Sequence, residues 1–421
     1  MWLNPIKIIC IPILCSMKQF FIVLSGLLFF STIHAQSYKA IHQKAIVVDT
    51  HNDVLSSATM HGLNIENDLT GKTHSDIARF KTGGIDVQVF SIFCDETFGK
   101  DTAFQFANIE MDSLYAIVKR NPRKMMLVTS PALLQKAVRQ KKLACMIGVE
   151  GGHMIEDRLD YLDSLYRRGA RYLTLTWNNS TAWASSAKDE TSSDPDTGMS
   201  SGELKHKGLT DFGRQVVKQM NEMGMMIDLS HVGEHTFYDV MKATTKPVLL
   251  SHSSVYAICP VFRNLKDEQI KAVAKNGGVI QVNFYSGFLD SNYQRRRREI
   301  FQRHRIERDS LKQLNWQSYT ISEWLAKKYA GEMEALRPPL SLLIDHIDYI
   351  VKLVGADYVG LGADMDGIES LPQELKGVED FPKITKALLG RGYSEKDILK
   401  ILGGNFIRVF KANTKNVLQA K

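Results

Sequence analysis

The sequence predicts an α/β fold, a (β/α)8 TIM barrel with candidate metal ligands at one mouth, and three observations predict it. Eight short apolar runs alternate with amphipathic stretches. The runs are rich in Val, Ile, Leu and Met, as expected of strands covered on both faces. Candidate metal ligands sit at the C-terminal ends of the first, third, fifth, sixth and eighth runs. A doubly wound open sheet satisfies the first two observations. It would set those polar ends in a line, whereas a barrel sets them in a ring at one mouth.

The runs are Ala45 to Val48, Ile85 to Phe93, Ala144 to Val149, Tyr172 to Trp177, Met225 to Leu229, Pro247 to Leu250, Val279 to Phe284 and Tyr358 to Leu361. Between them, Leu209 to Met223 reads as an amphipathic helix, with Thr210 or Asp211 as its cap and Gly224 closing it. Leu340 to Val354, closed by Gly355, reads the same way. Residues 36–421 are expected to form a single domain with two insertions. The first, at about 185–208, follows the fourth run and is rich in Ser, Asp and Gly, which suits a lid or a tether over the mouth. The second, at about 292–328, follows the seventh run and contains Arg295-Arg296-Arg297-Arg298. Its helical periodicity and mixed charge read first as a solvated helix, and second as a membrane or acidic-partner patch.

Residues 1–35 read as an export signal. Lys18 precedes the apolar run Phe20 to Phe30, and Ser31-Thr32-Ile33-His34-Ala35 supplies a cleavage site that leaves Gln36 as the new terminus. Met17 is an alternative start. The run is short for a membrane span, so the processed chain is expected to be exported, periplasmic or extracellular, with no stable span. The C-terminal RVFKANTKNVLQAK lacks the hydrophobic tail of a GPI signal. The formal charge of +7 falls to +5 without the leader, which holds Lys7 and Lys18 and no acid. That surplus does not argue for a nucleic-acid partner. Cys94, Cys145 and Cys259 follow the leader, and three thiols so widely spaced are no disulfide framework.

The chemistry lies at the run ends. His51 and Asp53, two apart in VVDTHND, share a face of an extended chain and can grip one ion while Asn52 turns away. Glu150, between Val149 and Gly151-Gly152, has two oxygens with which to bridge two cations about 3.5–4 Å apart. A helix-capping carboxylate is the plainer reading. His231 and His252 each end a Leu-Ser-His phrase on consecutive strands. Either alone reads as a core histidine; together they suit one metal. Asp364 ends the eighth run with Asp366 two residues on, so one of them can face the mouth as a proton acceptor. Two divalent ions would then be balanced by Asp53, Glu150, Asp364 and a bridging hydroxide, the attacking nucleophile. Arg263 in CPVFRN could clamp a substrate carboxylate in a bidentate pair, although an isolated loop Arg more often lies at the surface.

Taken in order, VDTHNDV, GVEGGH, YLTLTW, IDLSHV, LSHSSVYAICPVFRN and GLGADMDG resemble the membrane (renal) dipeptidase family of zinc metallopeptidases, over nearly all of Lys44 to Phe410. The resemblance implies an amidohydrolase-type barrel with two Zn2+ per chain, His51, Asp53 and Glu150 holding one and Glu150, His231 and His252 the other. It implies Asp364 as the catalytic acid/base and Arg263 as the receptor of the substrate's C-terminal carboxylate. It also implies a homodimer and the hydrolysis of dipeptides, often with a D-residue at the C-terminal position. One position departs from the pattern. Trp177 stands where such enzymes carry a histidine expected to polarise the scissile carbonyl, so Trp177 enters the substrate site with a single indole donor. Asn178 or Asn179 are candidate substitutes, and His153 reads as structural. Alternative functions are an amidohydrolase acting on N-acyl amino acids or lactams, and a non-catalytic metal-dependent binding protein.

Overall fold

The computed structural model describes residues 38–191, 204, 206–314, 316 and 318–414. The leader through Ala35 and much of the insertion at 185–208 lie outside the described residues. The strands are β1 (Val48–Asp49), β2 (Val87–Phe93), β3 (Met125–Leu127), β4 (Leu143–Glu150), β5 (Ala170–Thr174), β6 (Met226–Asp228), β7 (Leu249–Leu250), β8 (Val279–Val282) and β9 (Val359–Leu361). Eight pair in parallel in the order β1-β2-β4-β5-β6-β7-β8-β9. The ring closes between β9 and β1 through backbone bonds. Thr50 N–H donates to Leu361 O at 3.3 Å, Asp364 N–H to His51 O at 3.1 Å and Asp53 N–H to Met365 O at 2.9 Å.

Each expected run supplies one stave of this barrel. The strand β3 was not expected. It is three residues long and pairs only with Leu143, Ala144 and Cys145, below the point where β5 joins β4 at Ile147.

The two-residue period of the strands explains why the site forms where it does. Inward residues Met146, Met226, Leu249 and Val279 pack with Phe406 and Phe410 of the C-terminal helix Asn405–Thr414, which plugs the lower end. Their outward neighbours Ile147, Ile227, Leu250 and Ile280 join the larger core beneath the helical ring. Continuing the inward set toward the upper end gives Glu150, Asp228, Ser251 and Asn283, all buried. The same pleat that hides the apolar side chains below therefore carries the polar ones to one mouth.

The flanking helices follow their sequence signals. The helix Asp211–Met223 starts at Thr210, whose hydroxyl accepts from Gly213 N–H, and ends at Gly224 with φ 81°. The second insertion is more than a solvated helix. Helices Tyr293–Arg303, Arg305–Gln313 and Ser318–Lys328 build an arm with its own small core, in which Tyr293, Ile300, Phe301, Ile321 and Leu325 meet Tyr285, Met333 and Leu336. Apolar residues recurring at helical spacing fold the segment on itself. Cys94, Cys145 and Cys259 are free and buried. Among the described residues no helix is long and apolar enough to cross a membrane.

Candidate metal centre

His51, Asp53, Glu150, His231, His252 and Asp364 come from five staves and meet at one point. Glu150 is the centre. Its Oε2 lies 3.1 Å from His51 Nε2, and its Oε1 lies 2.9 Å from His231 Nε2 and 3.4 Å from His252 Nε2. On the first side, His51 Nε2 is 3.4 Å from Asp53 Oδ2 and 4.0 Å from Asp364 Oδ1. On the second, the Nε2 atoms of His231 and His252 face each other at 3.0 Å. Asn52 turns away, donating to Ser75 Oγ at 2.7 Å.

The far nitrogen of each imidazole is tied down, and the ties fix what the near nitrogen offers. His51 Nδ1 lies 2.9 Å from the Tyr172 hydroxyl, which itself donates to Thr50 O at 3.1 Å. The hydroxyl proton is thus committed, so His51 Nδ1 must donate, which leaves Nε2 as its ligand atom. His252 Nδ1 lies 2.7 Å from Ser251 Oγ, whose proton goes to Asp228 Oδ2 at 2.5 Å. His231 Nδ1 faces the carbonyl oxygen of the Asn178 side chain at 3.2 Å. Three Nε2 atoms converge on Glu150 as a result, which is the arrangement outer partners impose on metal-binding histidines. Gly148 makes room for the first tie: a Cβ there would come within 1.9 Å of the Tyr172 ring. Tyr172→Phe is accordingly expected to retain the fold but weaken metal affinity about 10–100-fold. A chelator titration monitored by metal release measures this, and unchanged affinity would deny Tyr172 its role.

The electrostatics call for a cation. Burial alone would push the Glu150 carboxyl up, but His51, His231 and His252 around it hold it well below the usual range. Burial opposes a charged His51, yet Tyr172, Glu150 and Asp53 raise its pKa well above the ordinary value. Burial, aided by Arg263, lowers His231 to about 4, and burial with His51 nearby lowers His252 as well. The two facing Nε2 atoms are thus neutral lone pairs in close contact, and Asp53 Oδ1 is buried without a partner. A cation between the imidazoles and another beside Asp53 would satisfy these atoms. Imidazole nitrogens with carboxylate oxygens are a donor set zinc accepts.

The remaining side chains fall around this cluster. Asp364 has φ 59° and His231 φ 65°, left-handed conformations that few side chains adopt and that concentrate at functional sites. Asn283 Nδ2 donates to Asp364 Oδ2 at 2.7 Å, leaving Oδ1 toward His51. Gly367 is required beside it, since a Cβ there would lie 2.3 Å from Asp53 Oδ2 and 2.7 Å from Asp364 Oδ1. Asp366 is spent elsewhere: it accepts from His74 N–H at 2.6 Å. Arg263 is buried at 4% exposure. Its Nη2 donates to His252 O at 3.2 Å, its Nε has no partner, and burial lowers its pKa to about 10. Trp177 is half-buried, its ring 5.1 Å from Phe93 and 6.4 Å from His231. His153 Nε2 donates to Cys94 O at 2.9 Å, a structural tie. Sequence reasoning did not single out Tyr172, Asp228 or Asn283. Their inward parity on the strands, two residues from other mouth positions, was the available signal.

A parallel barrel with imidazoles and carboxylates gathered at its C-terminal mouth is the build of the amidohydrolase-type metal enzymes. A family model described as membrane dipeptidase (peptidase family M19) matches residues 35–421, and the chain belongs to that family. It is 31% identical to Dipeptidase 3 of Mus musculus over 378 residues, covering 87% of this chain and 64% of that protein, so it spans just under two thirds of that relative's length. Among solved structures it is similar to the probable dipeptidase PvdM from Pseudomonas aeruginosa, with a TM-score of 0.73 and 23% identity over 91% of this chain and 99% of that one. It is also similar to a metallo peptidase from Rhodobacter sphaeroides liganded with a phosphinate mimic of the dipeptide L-Ala-D-Ala, with a TM-score of 0.68 and 22% identity over 88% of this chain and 99% of that one. At these identities the solved structures establish a common fold.

Proposed function

We propose that the protein is an exported dipeptidase holding two zinc ions, one at His51, Asp53 and Glu150 and the other at Glu150, His231 and His252. The observation that carries this reading is the convergence of three imidazole Nε2 atoms on the two oxygens of Glu150. Zinc bound there would lower the pKa of a shared water and polarise the scissile carbonyl. Asp364, oriented by Asn283, accepts a proton at Oδ1 and returns it to the leaving amine nitrogen. Arg263, buried and with an unpartnered Nε, receives the free carboxylate at the substrate's C-terminus. That pairing limits the substrate to one residue beyond the cleaved bond. The L-Ala-D-Ala mimic bound by the bacterial relative supports tolerance of a D-residue at that position. The family likeness supports a homodimer.

Trp177 favours a second reading. With an indole 5.1 Å from Phe93 and 6.4 Å from His231, the mouth has an aromatic wall beside the metal ligands. Such a wall suits an N-acyl group as well as a free amine. The two readings separate when the zinc-loaded protein is given L,L and L,D dipeptides and their N-acetylated forms. Release of both amino acids from the free dipeptides alone is expected. Equal cleavage of the acetylated forms would select the second reading, and no cleavage with zinc bound would overturn both.

A further inference from the structure

We propose that the helical arm at 292–328 docks the protein on an anionic lipid surface. The charge of the chain is concentrated there. Between Asn292 and Lys328 there are ten Lys and Arg against four Asp and Glu, a surplus of six in a chain whose whole surplus is seven. The other 384 residues are nearly neutral by comparison.

The arm also displays exposed apolar side chains, one of which, Trp316, meets Trp324 edge-on. Among the described residues six large apolar side chains are exposed, and three belong to the arm: Ile306 at 80%, Leu314 at 68% and Trp316 at 39%. The helix Arg305–Gln313 relates Ile306 to two of the basic residues. His304 and Glu307 turn inward to Glu332 and to Tyr329, and Leu311 packs on the small core. At 100° per residue, Ile306 falls opposite that inward face and Arg305 and Lys312 fall on its flank. Arg305 and Lys312 make no ion pair among the described residues, whereas Arg296 and Arg297 turn inward to Asp290 and Glu369. On the neighbouring helix a shallow cleft of about 540 Å3 is lined by Arg295, Arg298, Glu299, Gln302 and Arg303, with Arg295 paired to Glu299 and Arg303 to Glu332.

Arg305 and Lys312 beside exposed apolar side chains suit a bilayer of anionic lipid. Headgroups take the charges, and Ile306, Leu314 and Trp316 enter the boundary beneath them. A phosphate backbone would leave the aliphatic tips in water. The arm leaves the barrel after β8 and rests on Glu369, beyond β9, so docking would hold the mouth near the membrane.

Flotation of the full chain with vesicles tests this. Binding to phosphatidylglycerol-rich vesicles is expected, at least about tenfold stronger than to phosphatidylcholine vesicles or in high salt. Two variants, Ile306→Ser/Leu314→Ser/Trp316→Ser and Arg305→Glu/Lys312→Glu, should each weaken binding at least about tenfold with an unchanged melting temperature. The leader is common to all three chains, so their differences report the arm. Equal binding to both vesicle types, undiminished binding by both variants, or no binding by the unaltered chain would overturn the proposal. So would a dimer abolished by the same substitutions without any vesicle binding, which would assign the surface to a second copy.

Discussion

Replacing Asp364 with Asn is expected to lower kcat about 100–10,000-fold while metal content and KM change little. The substitution keeps shape and one hydrogen bond. Asn283 Nδ2 donates to Asp364 Oδ2, and a side-chain amide oxygen can accept the same bond. What is lost is the ability of the other oxygen to take a proton. Asp364 suits that work: burial pushes its carboxyl well above the usual range, and Asp53 and Glu150 add to the push while His51 resists it. The measurement is steady-state kinetics beside elemental analysis of the same sample. An unchanged kcat would remove Asp364 from the chemistry. A fallen metal content would make it a ligand instead, which its place in a cluster with His51 and Asp53 makes worth checking.

The barrel was legible because its strands are buried on both faces, and such strands read as continuous apolar runs whatever their partners. The same property hid β3. Met125, Met126 and Leu127 form a run of three that serves only the base of β4, and nothing local separates them from an apolar turn. The candidate ligands were legible because each ends a run, and strand ends meet in a barrel. Their supports were not. The tie from Tyr172 to His51 depends on a glycine, Gly148, on the neighbouring strand, a relation set by register and invisible along the chain. Arg263 shows the same limit. An isolated loop Arg reads as a surface residue, but pairing of Val255 with Leu265 folds the intervening loop back and carries Arg263 beneath the His252 carbonyl. The second insertion was legible as helical. Its small core was not, because apolar residues at helical spacing do not say whether they meet the barrel or each other.

Glu150→Gln should cost more than any substitution of an outer support. Glu150 divides its two oxygens between the halves, Oε2 to His51 and Oε1 to His231 and His252. An amide has one acceptor oxygen, and its NH2 would face lone pairs or a cation. Both cations should then leave together, with affinity falling beyond the roughly 100-fold that marks the loss of an outer partner such as Tyr172. Stability gives an independent readout. A bound metal stabilises only the folded state, so the unaltered protein should melt lower in a chelator. The Glu150→Gln variant should melt at the same temperature with or without one. Its melting point should also lie below that of the chelated parent, because removing one member of a buried charged cluster costs about 3–5 kcal/mol. A variant that kept one of the two cations at parental affinity would place Glu150 in a single site, and the two-ion reading would fail with it.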